Sequence, residues 1–304
     1  MLTGVARLTV IPRRTAPPAQ VDGEAHVLGL VAFDTALLGP TWTVRAIERA
    51  ARHAGHSLAV ARASSLDGGS VTGAIASLRA RGVEGILAVT PTDSALAALE
   101  RVAPDAPLVA VGVGDADGVP MVGVDNIAGA AMVTRHLLDL GHDTVHHISG
   151  PVGWPEARER LAGWRAALRQ VGAVEGRLLP GDWGVRSGFE AGRRIAADRD
   201  VTAIFCANDQ MALGALRALH LAGRAVPGEV SVVGFDDIPE APFLRPPLTT
   251  VRQDFAAVGR AGVDLLVRRI VADSAATPPG GAAPRGRVRF VPALVVRDSS
   301  APAM

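Results

Sequence analysis

The chain has 304 residues, 48% of them hydrophobic, and a net charge of +1. That length carries two core-forming domains, and so small a charge excludes a strong field drawing the whole chain to nucleic acid or membrane. All 31 basic residues are arginine and Cys206 is the lone cysteine, which excludes lysine Schiff bases, the phosphate loop ending in Gly-Lys-Ser/Thr, an intramolecular disulfide and a multi-cysteine metal site.

Residues 1–25 hold Pro12, Pro17, Pro18 and scattered charges without a sustained period, and read as an irregular arm. They contain neither a signal-peptide core nor a membrane-length apolar run, so a cytoplasmic location is expected. From residue 26 strands and helices alternate. Residues 26–33 make a strand and Pro40 opens a helix that Gly55 stops. A strand over 57–63, a helix over 70–81, a strand over 84–90, a helix over 93–102 and a strand over 106–113 follow. Then come a short strand at 119–126, a helix over 127–140, a strand at 144–150 and a helix over 156–170. Weakly extended residues 177–181, a helix over 185–198, a strand at 202–208 and a helix over 209–221 continue the pattern. A strand at 230–237, a helix over 254–272 and a last strand pair after the Pro/Gly-rich stretch 277–286 close it. The alternation predicts an α/β fold of doubly wound parallel sheets. There are too many strands for one small sheet, so two sheets with a cleft between them are expected.

Residues 230–254 anchor the functional reading. Val230–Phe235 is a valine-rich run too short for a helix, as expected of a strand buried on both faces. It stops at Asp236 and Asp237, and a loop with Pro239, Pro242, Pro246 and Pro247 follows. Ligands of open α/β sheets sit beyond the carboxyl ends of the strands. Asp236 therefore stands where a ligand-binding carboxylate is expected; the alternative is that both aspartates cap a turn.

The run CANDQMALGALRALHLAG followed by VSVVGFDD and LTTVRQD, the segment DNIAGAAMVTRHLLDLGHDTVHHISGP with RLAGW after it, and FVPALVVRDSS resemble the LacI/GalR transcriptional regulators. The resemblance covers about residues 26–299. It implies a periplasmic-binding-protein-like core of two subdomains, 26–123 plus 254–287 and 125–250 plus 289–298. The chain then crosses between them near Val124, near Val251–Gln253 and near Arg289. It also implies a small sugar-like effector in the cleft, a homodimer, and operator DNA reached through a helix-turn-helix head. Residues 1–25 lack the helix pair such a head needs. The expectation is that the chain as written binds no operator specifically, either because its start lies upstream or because it is a headless sensor.

Carried over residue by residue, the resemblance makes Arg160 an effector-binding arginine, whose fork suits vicinal hydroxyls or a carboxylate. Asn208 is a cleft amide, with Asp209 free to cap the next helix. Asp236 is the cleft carboxylate, Asp237 a structural neighbour, and Gln253 a polar contact at a crossover. Trp183 in GDWGVRSGF is a ring that stacks on sugar faces. Phe33 and Asp34 end the first strand, where contacts are common. Trp154 either flanks the cleft or lies exposed. Gly112 replaces a sugar-contacting aspartate found in the family, which argues against a galactoside. No catalytic motif, cofactor loop or metal set emerges: His146 and His147 are adjacent on a strand and point to opposite faces. Two function classes stay in view, a ligand-responsive regulator and a stand-alone binding protein.

Overall fold

Residues 27–33, 37–65, 67–90, 92–102, 107–114, 116–274 and 286–303 are described by the structure, a computed structural model. The arm at 1–25, and with it the expectation about a DNA-binding head, lies outside them, as does Asp34.

The elements follow the expected alternation. First come β1 (Val27–Phe33), α1 (Leu38–His53), β2 (Ser57–Ala63), α2 (Gly68–Ala80), β3 (Gly85–Thr90), α3 (Asp93–Val102), β4 (Leu108–Gly112) and β5 (Met121–Val124). Next are α4 (Asn126–Asp139), β6 (His146–Ser149), α5 (Pro155–Val171), β7 (Leu178–Pro180), α6 (Val185–Ala196), β8 (Ala203–Cys206), α7 (Asp209–Leu221) and β9 (Ser231–Val233). The chain closes with β10 (Thr250–Arg252), α8 (Phe255–Ser274), β11 (Arg287–Phe290) and β12 (Ala293–Val295). Local chemistry sets the ends. Asp67, Asp125 and Asn208 cap α2, α4 and α7 by accepting first-turn N–H bonds. Gly172, left-handed at φ 72°, stops α5.

Two parallel sheets result. The first has the order β11-β5-β4-β3-β1-β2, the second β7-β6-β8-β9. In the first sheet, Leu28 and Leu30 of β1 join the cluster of Ile47, Val263 and Leu266 from α1 and α8. Val31 and Phe33 join the opposite cluster with Val71, Ile75 and Leu99 from α2 and α3. Covered on both faces, the strand can be apolar throughout. The second sheet is built alike, with α6 and α7 on one face and α4 and α5 on the other. The α6–α7 pair touches backbone to backbone: a Cβ on Gly214 would sit 2.0 Å from the Val185 carbonyl oxygen. Cys206 lies buried in this half, and burial pushes its thiol up, out of reactive range.

Three stretches join the halves. The first follows β5. The second is β10, which pairs antiparallel with β12. The third was expected near Arg289, but Arg289 and Phe290 still pair with Gly123 and Val124 in the first sheet, so that passage comes at Val291 and Pro292. Extending β11 as a parallel edge strand wins because its neighbour β5 is otherwise unpaired on that side.

His147 is the buried polar anomaly of the second core. Its ring stacks between Trp164 (centroids 5.4 Å) and Phe205 (4.6 Å). Nδ1–H donates to the Phe205 carbonyl at 2.9 Å, while Nε2 is buried without a partner. His146 faces the other way, its Nδ1 accepting from the Arg177 N–H. Among the described residues no group of His, Cys, Asp and Glu is placed to hold a metal ion.

Candidate functional site

A cleft of about 760 Å³, counted out to its mouth, lies between the two sheets at the carboxyl ends of their strands. The two walls differ. The first-sheet side is apolar, with Leu37, Leu38, Val89, Val111, Val124 and Phe255. The second-sheet side holds the polar groups.

Arg160 is the centre of that polar wall. It lies in the second turn of α5, which Pro155 opens. The side chain is only 6% exposed. Its Nε–H donates to the Asn126 Oδ1 at 2.9 Å, Nη1–H donates to the Ala207 carbonyl, and Nη1 stands 3.2 Å from the Asp236 Oδ1. The guanidinium sits 3.8 Å over the Phe235 ring and 5.4 Å from the centre of Trp183. Stacking and a carboxylate together fix its plane, as site arginines require.

Asp236 comes just past Gly234 and Phe235 at the end of β9, held by its N–H donating to the Val251 carbonyl at 2.8 Å. Its φ of 112° is rare for a non-glycine residue and implies local strain of about 1–3 kcal/mol. The Gln253 Nε2–H donates to its Oδ1 at 2.6 Å. Burial pushes the Asp236 carboxyl up, while Arg160 and Gln253 pull it back down. Asp237 turns away and accepts from Arg252 and Arg297, each at 2.6 Å.

Asn208 lines the cleft and also caps α7, which settles between it and Asp209, the two residues able to cap that helix. Its Oδ1 accepts from the Met211 N–H, and its Nδ2 donates to the Trp183 carbonyl and the Gln210 Oε1. Asp209 is buried beneath, accepting from Ile238 N–H at 2.9 Å and the Thr250 hydroxyl at 2.6 Å. Burial first, then the neighbouring Asp236, push its carboxyl up to about 8. Trp183 is 7% exposed, with a left-handed φ of 72°. Its indole leaves no room for a side chain at Gly150, and its Nε1–H is buried without an acceptor.

The structure thus gathers Arg160, Asn208, Asp236, Trp183 and Gln253 around one cleft. Phe33 is not among them: it is 5% exposed and packs into the core beside Ala63 and Val71, because the period of β1 turns it to that face. Trp154 flanks the cleft, its ring edge-on to Trp183 at 6.0 Å. Arg158 is exposed and forks onto Asp93 of α3 at 2.7 and 2.8 Å. Sequence reasoning missed Asn126, Thr43, Gln210 and Glu156, all of which line the cleft. Glu156 had a usable signal, since residues four apart on a helix share a face with each other, here Glu156 with Arg160.

This geometry has relatives. The periplasmic binding protein-like domain profile matches residues 134–300. The lactose operon repressor of Escherichia coli (strain K12) is 34% identical over 269 residues, 87% of this chain and 74% of the repressor. The chain belongs to the LacI/GalR family. Among solved structures of that family, a dimeric Lac repressor with an 11-residue C-terminal deletion superposes with a TM-score of 0.82 at 30% identity, covering 91% of this chain and 100% of the other. The transcriptional regulator CelR in complex with cellobiose gives 0.76 at 30% identity, covering 91% and 85%. The LacI/GalR fold therefore extends over nearly the whole described chain. No helix among the described residues is long and apolar enough to cross a membrane.

Proposed function

We propose that this chain is the effector-binding core of a cytoplasmic LacI-type regulator that senses a small sugar or sugar derivative and transmits cleft closure to operator DNA. Each sheet with its helices acts as one subdomain, and the effector shifts the population between open and closed arrangements. The observation that carries the reading is the buried Arg160–Asp236–Gln253 cluster set against Trp183 at one wall of the cleft. Fixed donors and acceptors beside an indole face are what a polyhydroxyl ring needs. The CelR complex with cellobiose supports a sugar as the ligand class. Calorimetry against a panel of mono- and disaccharides is expected to find at least one that binds with a 1:1 stoichiometry per chain. Binding of none of them would remove the sugar reading.

The core is further proposed to work as a two-fold homodimer. On the helix from Pro40, Ala46, Ile47 and Ala50 pack into their own core while Trp42 and Val44 stay partly buried, so the helix buries one face and keeps another for a copy of the chain. A second face lies on α6 and α7. Val185 and Leu213 are exposed beside that tight helix contact, and Phe243, 84% exposed, projects from the loop whose Ala241 packs in the same cluster as α7. Sedimentation at micromolar concentration is expected to show a dimer, and Leu213→Asp a monomer. A parent chain that sediments as a monomer would contradict the assignment.

A further inference from the structure

The charges that line the cleft do not balance. Among the described residues they are Glu156, Arg160 and Asp236. Arg160 engages Asn126, the Ala207 carbonyl and Asp236 through its Nε and Nη1. The other arginines near Glu156 are committed too: Arg158 to Asp93, and Arg289 to the neighbouring Glu159 at 2.9 Å. Glu156 therefore makes no ion pair, although it shares a helix face with Arg160. Its side chain is half-buried, and its Oε2 is sealed from solvent with no hydrogen-bond partner. Burial pushes the carboxyl up to about 7, opposed by Arg160 and Arg158 and reinforced by Glu159.

Glu156 lines a small-molecule cleft, and a carboxyl with one oxygen left unpartnered gains from a donor that a ligand brings to it. A neutral hydroxyl supplies only a hydrogen bond. An ammonium supplies the hydrogen bond and also stabilises the ionised form of the carboxyl. The surroundings favour the ammonium as well, since Trp154 and Trp183, edge to face with each other, line the same cleft as Glu156 and aromatic faces attract cations.

We infer that the effector carries a protonated amine received by Glu156, so that the ligand class is an amino sugar or a similarly compact polyhydroxyl amine. This rests on the reading of the cleft as a sugar site. Arg160 and Asp236 hold hydroxyls, and Glu156 separates the amine from its neutral counterpart.

The test is calorimetry on the whole chain at pH 6.5, where the amines are protonated. D-glucosamine, D-galactosamine and D-mannosamine are each compared with the parent hexose and the N-acetyl derivative. At least one amine is expected to bind about tenfold or more tightly than both of its neutral counterparts. In Glu156→Gln that ratio falls to near one. Association in the parent releases protons, seen as a dependence of the observed heat on the buffer's ionisation enthalpy; the variant loses that release. The inference is overturned by a neutral sugar binding as tightly as its amine, or by a preference that survives in Glu156→Gln. If neutral sugars bind and no amine does, the sugar site stands and the amine inference falls. If neither series binds a chain that circular dichroism shows to be folded, both fall together.

Discussion

Arg160→Ala is expected to abolish effector binding and to cost about 3–5 kcal/mol of folding stability. The binding loss follows from position, because Arg160 is the cationic donor of the cleft wall. The stability loss follows from what is left behind. Asp236 becomes a buried carboxylate whose only remaining side-chain partner among the described residues is Gln253. The Asn126 Oδ1 and the Ala207 carbonyl lose a donor, and Phe235 and Trp183 lose the group they enclose. Truncating one member of a buried pair is costly, whereas removing both together is much cheaper. The double variant Arg160→Met/Asp236→Asn should therefore recover most of the stability and none of the binding. Urea denaturation read alongside calorimetry checks both halves. A stability loss below about 1 kcal/mol would show that the pair behaves like a solvent-screened surface contact.

Acidification is expected to weaken the second core through His147. Burial depresses its folded-state pKa to about 4, from an ordinary value of 6.5. For a depressed group the stabilising contribution is fully present above the unfolded pKa and is lost as pH falls toward the folded one. The window is therefore pH 6.5 down to 4, and the loss is on the order of 3 kcal/mol. The physical cause is the ring's position between Trp164 and Phe205, where Nε2 has no acceptor to receive a second proton's bond. His136, His142 and His146 are shifted the same way by partial burial, so the parent chain loses more than His147 alone explains. His147→Phe keeps the stacking and removes the titration. Its stability should be flatter than the parent's by that amount across the window. Equal slopes for the two proteins would assign the acid sensitivity elsewhere.

The fold was largely legible because the central strands of the two sheets sit between layers of helices. Burial on both faces forces long apolar runs, and glycines end the helices between them, so boundaries announce themselves in composition. The third crossing was misplaced because pairing of Arg289 with Gly123 is set by a neighbour far away in the chain, and β11 carries no local mark of which sheet it joins. The cleft was legible where strand ends carry it, as at Asp236, or where a motif does, as at Arg160. Phe33 failed because its face depends on the register of a single strand end. The cap of α7 was open between Asn208 and Asp209 because both residue types can cap a helix, and tertiary contacts of Asp209 to Ile238 and Thr250 leave it to Asn208. Glu156 stayed hidden because a glutamate in the first turn of a helix is commonplace, and what distinguishes this one is a missing partner.

The three connecting stretches are tied side by side. The Asp125 N–H donates to the Phe290 carbonyl at 2.9 Å, which fastens the first to the third. The second and third form the β10–β12 pair, and Asp237 grips Arg252 and Arg297 at its far end. Three separate tethers would let one half swivel, slide or tilt against the other. A strip of laced strands resists twisting and in-plane shear, and yields most readily to bending across its width. The linkage thus behaves as a door hinge with a single axis, and whatever happens at the cleft reaches the far ends of both halves as one angle.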